Sequence, residues 1–209
     1  MKKNFLWMLA AILLCGTMTT LFTACSSDDD DNGGSSSANT YEVTLSALLP
    51  RCSAPYMQLQ LKYTYADGKS ETVYVKEGDE SQTISEDAMN SYKNATSAYR
   101  GNPAYVTILD DIIVRNIKLR VPAGKSFSYQ GTIVARTDYT APESDVNVVQ
   151  PCVISKGKRI SGNGDDRSEL ASNGSLSVIA SFGIDAESFA SIMDRWNGRD
   201  AGKGGATMK

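Results

Sequence analysis

The chain has 209 residues, no histidine and a formal net charge of −3 at pH 7. Without imidazole it has no Ser-His-Asp or Cys-His nucleophile system, no His-containing zinc site and no imidazole general base. Its mildly acidic balance suits phosphate backbones poorly, since they demand clustered Lys and Arg, so nucleic acid is not an expected partner.

The first element is an export signal. Lys2 and Lys3 precede an apolar run from Phe5 to Cys15, and a short segment then ends in Leu21-Phe22-Thr23-Ala24-Cys25, the n-region, h-region and small-residue cleavage order. Gly16, Thr17, Thr19 and Thr20 interrupt the apolar run, which stops short of the roughly 18 residues that read as a membrane span. Cleavage is expected before Cys25 rather than Cys15, because Ala24 is small and Leu14 is not. These residues resemble the lipobox of bacterial lipoproteins, with Phe22 where Leu is usual. Ser27 and the run Asp28-Asp29-Asp30-Asp31 behind Cys25 resemble the acidic surface-export tag of lipoproteins in the Bacteroidota. The resemblance implies a Cys25 carrying acyl chains such as palmitate and a place on the outer membrane facing outward. It stops at the acidic run and does not identify the domain behind it. By charge alone, four aspartates keep a linker solvated and extended.

Each buried acyl CH₂ contributes about 0.8 kcal/mol, so several chains hold a protein firmly to a membrane. Loss of residues 1–24 takes Lys2 and Lys3 with it and leaves a formal charge of −5. The run Asn32 to Thr40 has the Gly and Ser content of a flexible tether. The expected organisation is a signal peptide at 1–24, a tether at 25–40, one β-rich domain at 41–198 and a disordered Gly- and Lys-rich tail at 199–209.

Within the domain, strands are predicted at Tyr41 to Leu49, Tyr56 to Tyr65, Thr72 to Lys76, Ile112 to Val121, Phe127 to Asp138, Val146 to Ser155 and Ser175 to Phe182. Met57, Leu59, Leu61, Tyr63 and Tyr65 alternate with Gln58, Gln60, Lys62 and Thr64, giving one apolar and one wet face. Asp67-Gly68 between two such runs predicts a hairpin. In the fifth strand Phe127, Tyr129, Ile133 and Ala135 share a side. Helical period appears from about Ser85 to Arg100, through Met89, Tyr92, Ala95 and Tyr99. It is clearer from Asp185 to Trp196, where Phe189, Ile192, Met193 and Trp196 form the stripe, Asp185 caps it and Asn197-Gly198 ends it. The fold class is therefore mainly β: an antiparallel two-layer β sandwich, Ig-like or similar, with two short helices, the alternative being a partly closed β barrel.

Candidate chemistry is sparse. Cys52 and Cys152 lie outside the signal and anchor. As a disulfide they would close a loop of about 100 residues and add roughly 4 to 5 kcal/mol, while as separate buried thiols they would add no bridge, and spacing leaves both readings open. Asp110-Asp111 is an adjacent carboxylate pair, but neighbours on a strand point to opposite faces and Asp favours turns, so a turn before the strand at Ile112 is the expectation. Asp165, Asp166 and Glu169 form a weak calcium candidate. The loop departs from the alternating spacing of known calcium loops, and Arg167 brings a competing charge. Ser155 to Lys158 matches S-x-x-K, and Gly124-Lys125-Ser126 the end of a P-loop, only as letters, because both sit in strand context.

Tyrosine is abundant, with ten copies. Tyr63, Tyr65 and Tyr74, with Tyr41, Tyr92, Tyr99 and Tyr105, could line a surface that stacks on sugars or a partner protein, or could pack the rims of the core. The expectation is a non-catalytic surface module with a glycan or envelope-protein partner, anchored by lipid and needing no cofactor. The alternatives are a carboxylate-dependent surface hydrolase and a fimbria-like structural subunit.

Overall fold

The computed structural model describes residues 39–95, 110–161, 180–184 and 187–209, all within one compact unit, Ser36–Lys209. Strand β1 (Thr40–Pro50) sends Tyr41, Val43, Leu45, Ala47 and Leu49 into the main core. From Leu45 onward its other face is buried too, which is why Leu45-Ser46-Ala47-Leu48-Leu49 reads as an almost continuous apolar run. Strand β2 (Met57–Tyr65) keeps the predicted alternation, with Met57, Leu59, Leu61 and Tyr63 buried, and turns through Asp67-Gly68 into β3 (Ser70–Val75). Gly68 holds the left-handed φ of 82°, and the Lys69 amide donates to the Asp67 carboxylate at 2.9 Å.

Helix α1 (Glu86–Ala95) begins where the Ser85 hydroxyl accepts the Ala88 amide at 3.3 Å, and carries Glu86 and Asp87 in its first turn and Lys93 in its last, matching the helix dipole. The expected continuation to Arg100 lies outside the described residues, as do Tyr99 and Tyr105. Strands β4 (Ile112–Pro122) and β5 (Ser126–Ala135) follow, joined by a tight turn at Ala123-Gly124-Lys125.

The predicted strand from Val146 to Ser155 is two strands, β6 (Val146–Val149) and β7 (Cys152–Arg159), in different sheets. Pro151 divides them, because its ring fixes φ and removes the amide a continuous ladder would need. Strand β8 (Ala180–Ile184) pairs with β6. The preceding residues 175–179 of that predicted strand, and Asp185 as a helix cap, lie outside the described residues. Helix α2 (Phe189–Trp196) buries Phe189, Met193 and Trp196, as its period predicts, and ends at Asn197-Gly198. That turn also stitches the helix to the sheet: the Asn197 side-chain oxygen accepts the Ala135 amide, and the Gly198 amide donates to the Ile133 carbonyl at 2.8 Å.

The expected disordered tail is instead an ordered strand, β9 (Asp200–Thr207), antiparallel to β5, with Ala201 and Met208 buried. Its glycines serve close approach rather than flexibility. Gly131 of β5 pairs with Gly202 of β9, and Val153 of the opposite sheet packs into the space both leave; a Cβ on Gly131 would come within 2.5 Å of the Val153 Cγ2.

The result is an antiparallel β sandwich, and the described strands form no closed barrel. One sheet has the order β4-β1-β7, the other β3-β2-β5-β9, with β6-β8 as a small ribbon. The main core fills the space between the sheets. A second cluster of Leu48, Ala88, Tyr92, Ile112, Val114, Cys152 and Ile154 involves α1 and the outer side of the first sheet.

Candidate functional site

The predicted aromatic surface is not assembled. Tyr63 and Tyr65 point to the core side of β2, with rings edge to face at 6.3 Å, and the Tyr63 hydroxyl donates to the Glu71 carboxylate. Burial, and then that carboxylate, push the Tyr63 phenol well above its ordinary range. Tyr74 pairs with Gln60 and stands on the opposite, wet face, 46 % exposed. Tyr41 and Tyr92 are core residues.

Asp110 and Asp111 diverge. Lys93 reaches Asp110 at 3.2 Å and Arg51 reaches Asp111 at 3.0 Å, so each carboxylate holds its own cation instead of facing a shared substrate. Asp165, Asp166 and Glu169 lie outside the described residues, and among the described residues no three of Cys, Asp and Glu converge as a metal site. Ser155 faces inward and is within 3.2 Å of the Tyr129 hydroxyl, which donates to it, while Lys158, paired with Glu42, lies on the other side of the strand, so S-x-x-K is no catalytic pair.

The disulfide left open by spacing is not formed: Cys52 and Cys152 are free thiols on the same secondary cluster. Burial raises both above the ordinary thiol value, most strongly for the fully buried Cys152, so neither is a ready nucleophile. Because the folded state holds Cys152 protonated, its contribution to stability is complete below the unfolded thiol value near 8.5 and is lost as pH rises above it. At pH 10.5 this one thiol is expected to cost about 2 to 3 kcal/mol. Urea titrations at pH 8 and 10.5 should show that loss, and Cys152→Ala should remove it from the difference between the two pH values.

Arg136 occupies a cleft of about 590 Å³ without being a free cation. It donates through two nitrogens to Asp138, at 2.9 and 2.8 Å, and through a third to Glu77, while its backbone amide bonds the Tyr56 carbonyl. These hydrogen bonds hold the Asp138 carboxyl below the usual carboxylate range. The arrangement is a clamp joining the end of β5 to the segment after β3.

The outer face of the first sheet differs. β1 lies between β4 and β7, so Thr44 stands opposite Lys118 on one side and Lys156 on the other, and Glu42 stands between Arg120 and Lys158 in the same way. Directly opposed residues share a face, which places four cations around one carboxylate on a single surface. Strand spacing puts the two outer rows about 10 Å apart, with the cations of each row roughly 7 Å from one another. Among the described residues none of the four makes an ion pair.

The segment before α1 walls this face and is held there by hydrogen bonds. The Asn116 amide donates to the Gln82 side chain at 2.6 Å, the Asn116 side chain to the Thr83 carbonyl at 2.8 Å, and the Ser46 hydroxyl to Asn116 at 2.7 Å. Ser46, Thr83 and Asn116, together with Glu42, Thr44, Lys118 and Lys156, line an open cleft of about 300 Å³. Sequence reasoning missed it. Its local signal is the Lys118/Arg120 and Lys156/Lys158 pairs at i and i+2, but only the β4-β1-β7 order brings them together.

No protein-family model matches the chain, and neither a curated protein nor a solved structure matches it.

Proposed function

We propose that this chain is a lipid-anchored lipoprotein of the bacterial outer membrane, facing outward, whose β sandwich is a non-catalytic binding or accessory module. The observation that carries the reading is the order of signal, Ala24-Cys25, acidic run and Gly/Ser tether, which fits lipidation at Cys25 and a domain standing off the membrane. The domain supports binding over catalysis. Its exposed polar side chains lie on a preorganised sheet face, and the candidate carboxylates Asp110 and Asp111 are each engaged by a cation.

Crosslinking on intact cells, followed by purification of this protein, tests the reading. A reproducible neighbour, protein or glycan, recovered in fixed proportion is the expected result. Hydrolysis of a polysaccharide or peptide by the pure chain, abolished by changing one carboxylate, would replace the reading with a surface hydrolase.

A second reading, a fimbria-like structural subunit, draws on β9. It is an edge strand, and few of its side chains are buried. Self-association of the purified chain into linear polymers would favour it, and a stable monomer would count against it.

A further inference from the structure

We infer that the outer face of the β4-β1-β7 sheet is a binding site for an anionic polysaccharide, one bearing sulfate esters or uronic carboxylates. The inference rests on the binding-module reading and names its ligand class. Lys118, Arg120, Lys156 and Lys158 surround Glu42 on one face of a chain whose formal charge is −3, so the patch is a local exception rather than a sample of the whole surface. None of the four cations is neutralised by a neighbour among the described residues.

The cations lie in two rows about 10 Å apart on an open strand surface, so an extended chain with repeated charges can meet several of them at once. A compact anion such as inorganic phosphate cannot. Between the rows the surface offers Thr44 hydroxyl and Glu42 carboxylate groups, which suit sugar hydroxyls as donor and acceptor partners.

The polarity of the patch favours carbohydrate over protein. A protein interface needs a largely apolar, fully buried centre, and this patch has a polar one. The large exposed apolar side chains among the described residues are Tyr74, on the other sheet, and Ile160, just past the end of β7.

The test uses the full chain in detergent solution and measures binding to immobilised dextran sulfate, alginate and neutral dextran. Sulfated dextran and alginate separate the sulfate-ester source from the carboxylate source, and binding to either supports the site. The expected pattern is binding that weakens with salt, no binding to neutral dextran, and a loss of tenfold or more in Lys118→Glu/Lys156→Glu. The same charge change at Lys62→Glu/Lys69→Glu, away from the face, should alter affinity by less than about twofold.

Lys118→Gln/Lys156→Gln provides a milder variant, expected to lose several-fold, should the reversal disturb folding. No binding to either charged polymer, or an equal loss in the Lys62/Lys69 variant, overturns the inference. Single-stranded DNA binding as tightly, with the same dependence on Lys118 and Lys156, assigns the face to polyanions without regard to sugar and also overturns it. So does a tenfold gain in affinity on changing Asp28, Asp29, Asp30 and Asp31 to Asn, which would make the chain's own acidic run the occupant. Failure here with a neighbour still captured on cells leaves the binding-module reading standing.

Discussion

Deleting residues 200–209 is expected to abolish cooperative folding of the domain. The deleted segment buries one large side chain, Met208 just past β9, yet its removal exposes the whole edge of β5 from Ser126 to Thr132 and uncovers the core around Tyr129 and Val153. Met208 alone contributes about 2 kcal/mol by burial, and each lost strand hydrogen bond about 1 kcal/mol net, against a total stability of roughly 5 to 15 kcal/mol for a domain. The same end of the chain closes the sandwich by backbone contacts. The Met208 amide donates to the Lys125 carbonyl at 3.0 Å, the Gly124 amide to the Met208 carbonyl, and the Tyr41 hydroxyl to the Lys209 carbonyl. Circular dichroism during thermal unfolding should therefore show no sharp transition for the truncated chain. A transition at the temperature of the full chain would mean that β9 is dispensable.

The second large effect is expected at Gly131→Val. Gly131 lies where the two sheets approach closely: a Cβ there would stand 2.5 Å from the Val153 Cγ2 and 3.5 Å from the Ala201 Cβ. A branched side chain cannot enter without displacing Val153, itself buried. Overpacking of this kind costs about 3 kcal/mol. Because the conflict is between two named residues, Val153→Ala should relieve part of it, and the double variant should be at least about 1 kcal/mol more stable than the sum of the single changes predicts. Urea denaturation of the four proteins measures this coupling. Simple additivity would show that the clash is relaxed elsewhere.

The hairpin at Asp67-Gly68 and the Phe189–Trp196 helix were legible because their signals are local: a turn pair between alternating runs, and a stripe of 3.6-residue period. The sandwich class followed from counting such segments. Pro151 was a visible break in the Val146–Ser155 run, but alternation on both sides of it masked the change of sheet. The tail was misread for a physical reason. Glycine signals conformational freedom locally, whereas here Gly202 meets Gly131 and Val153, residues 71 and 49 positions earlier in the chain, and supplies room rather than flexibility. The cation face was hidden in the same way, since Lys118 and Lys156 become neighbours of Thr44 only through strand pairing across long separations. The tyrosines show the converse: abundance suggested a surface, and the strand register sent Tyr63 and Tyr74 to opposite faces.

The central claim, a lipoprotein held at the cell surface through Cys25, is tested most directly by metabolic labelling with a palmitate analogue, combined with protease treatment of intact cells. The account predicts that the full chain is labelled, partitions with the outer membrane and is digested from outside, while Cys25→Ser loses the label and leaves the membrane fraction. An unlabelled wild-type chain, or one that is labelled but protected from protease until the cells are broken, would contradict it.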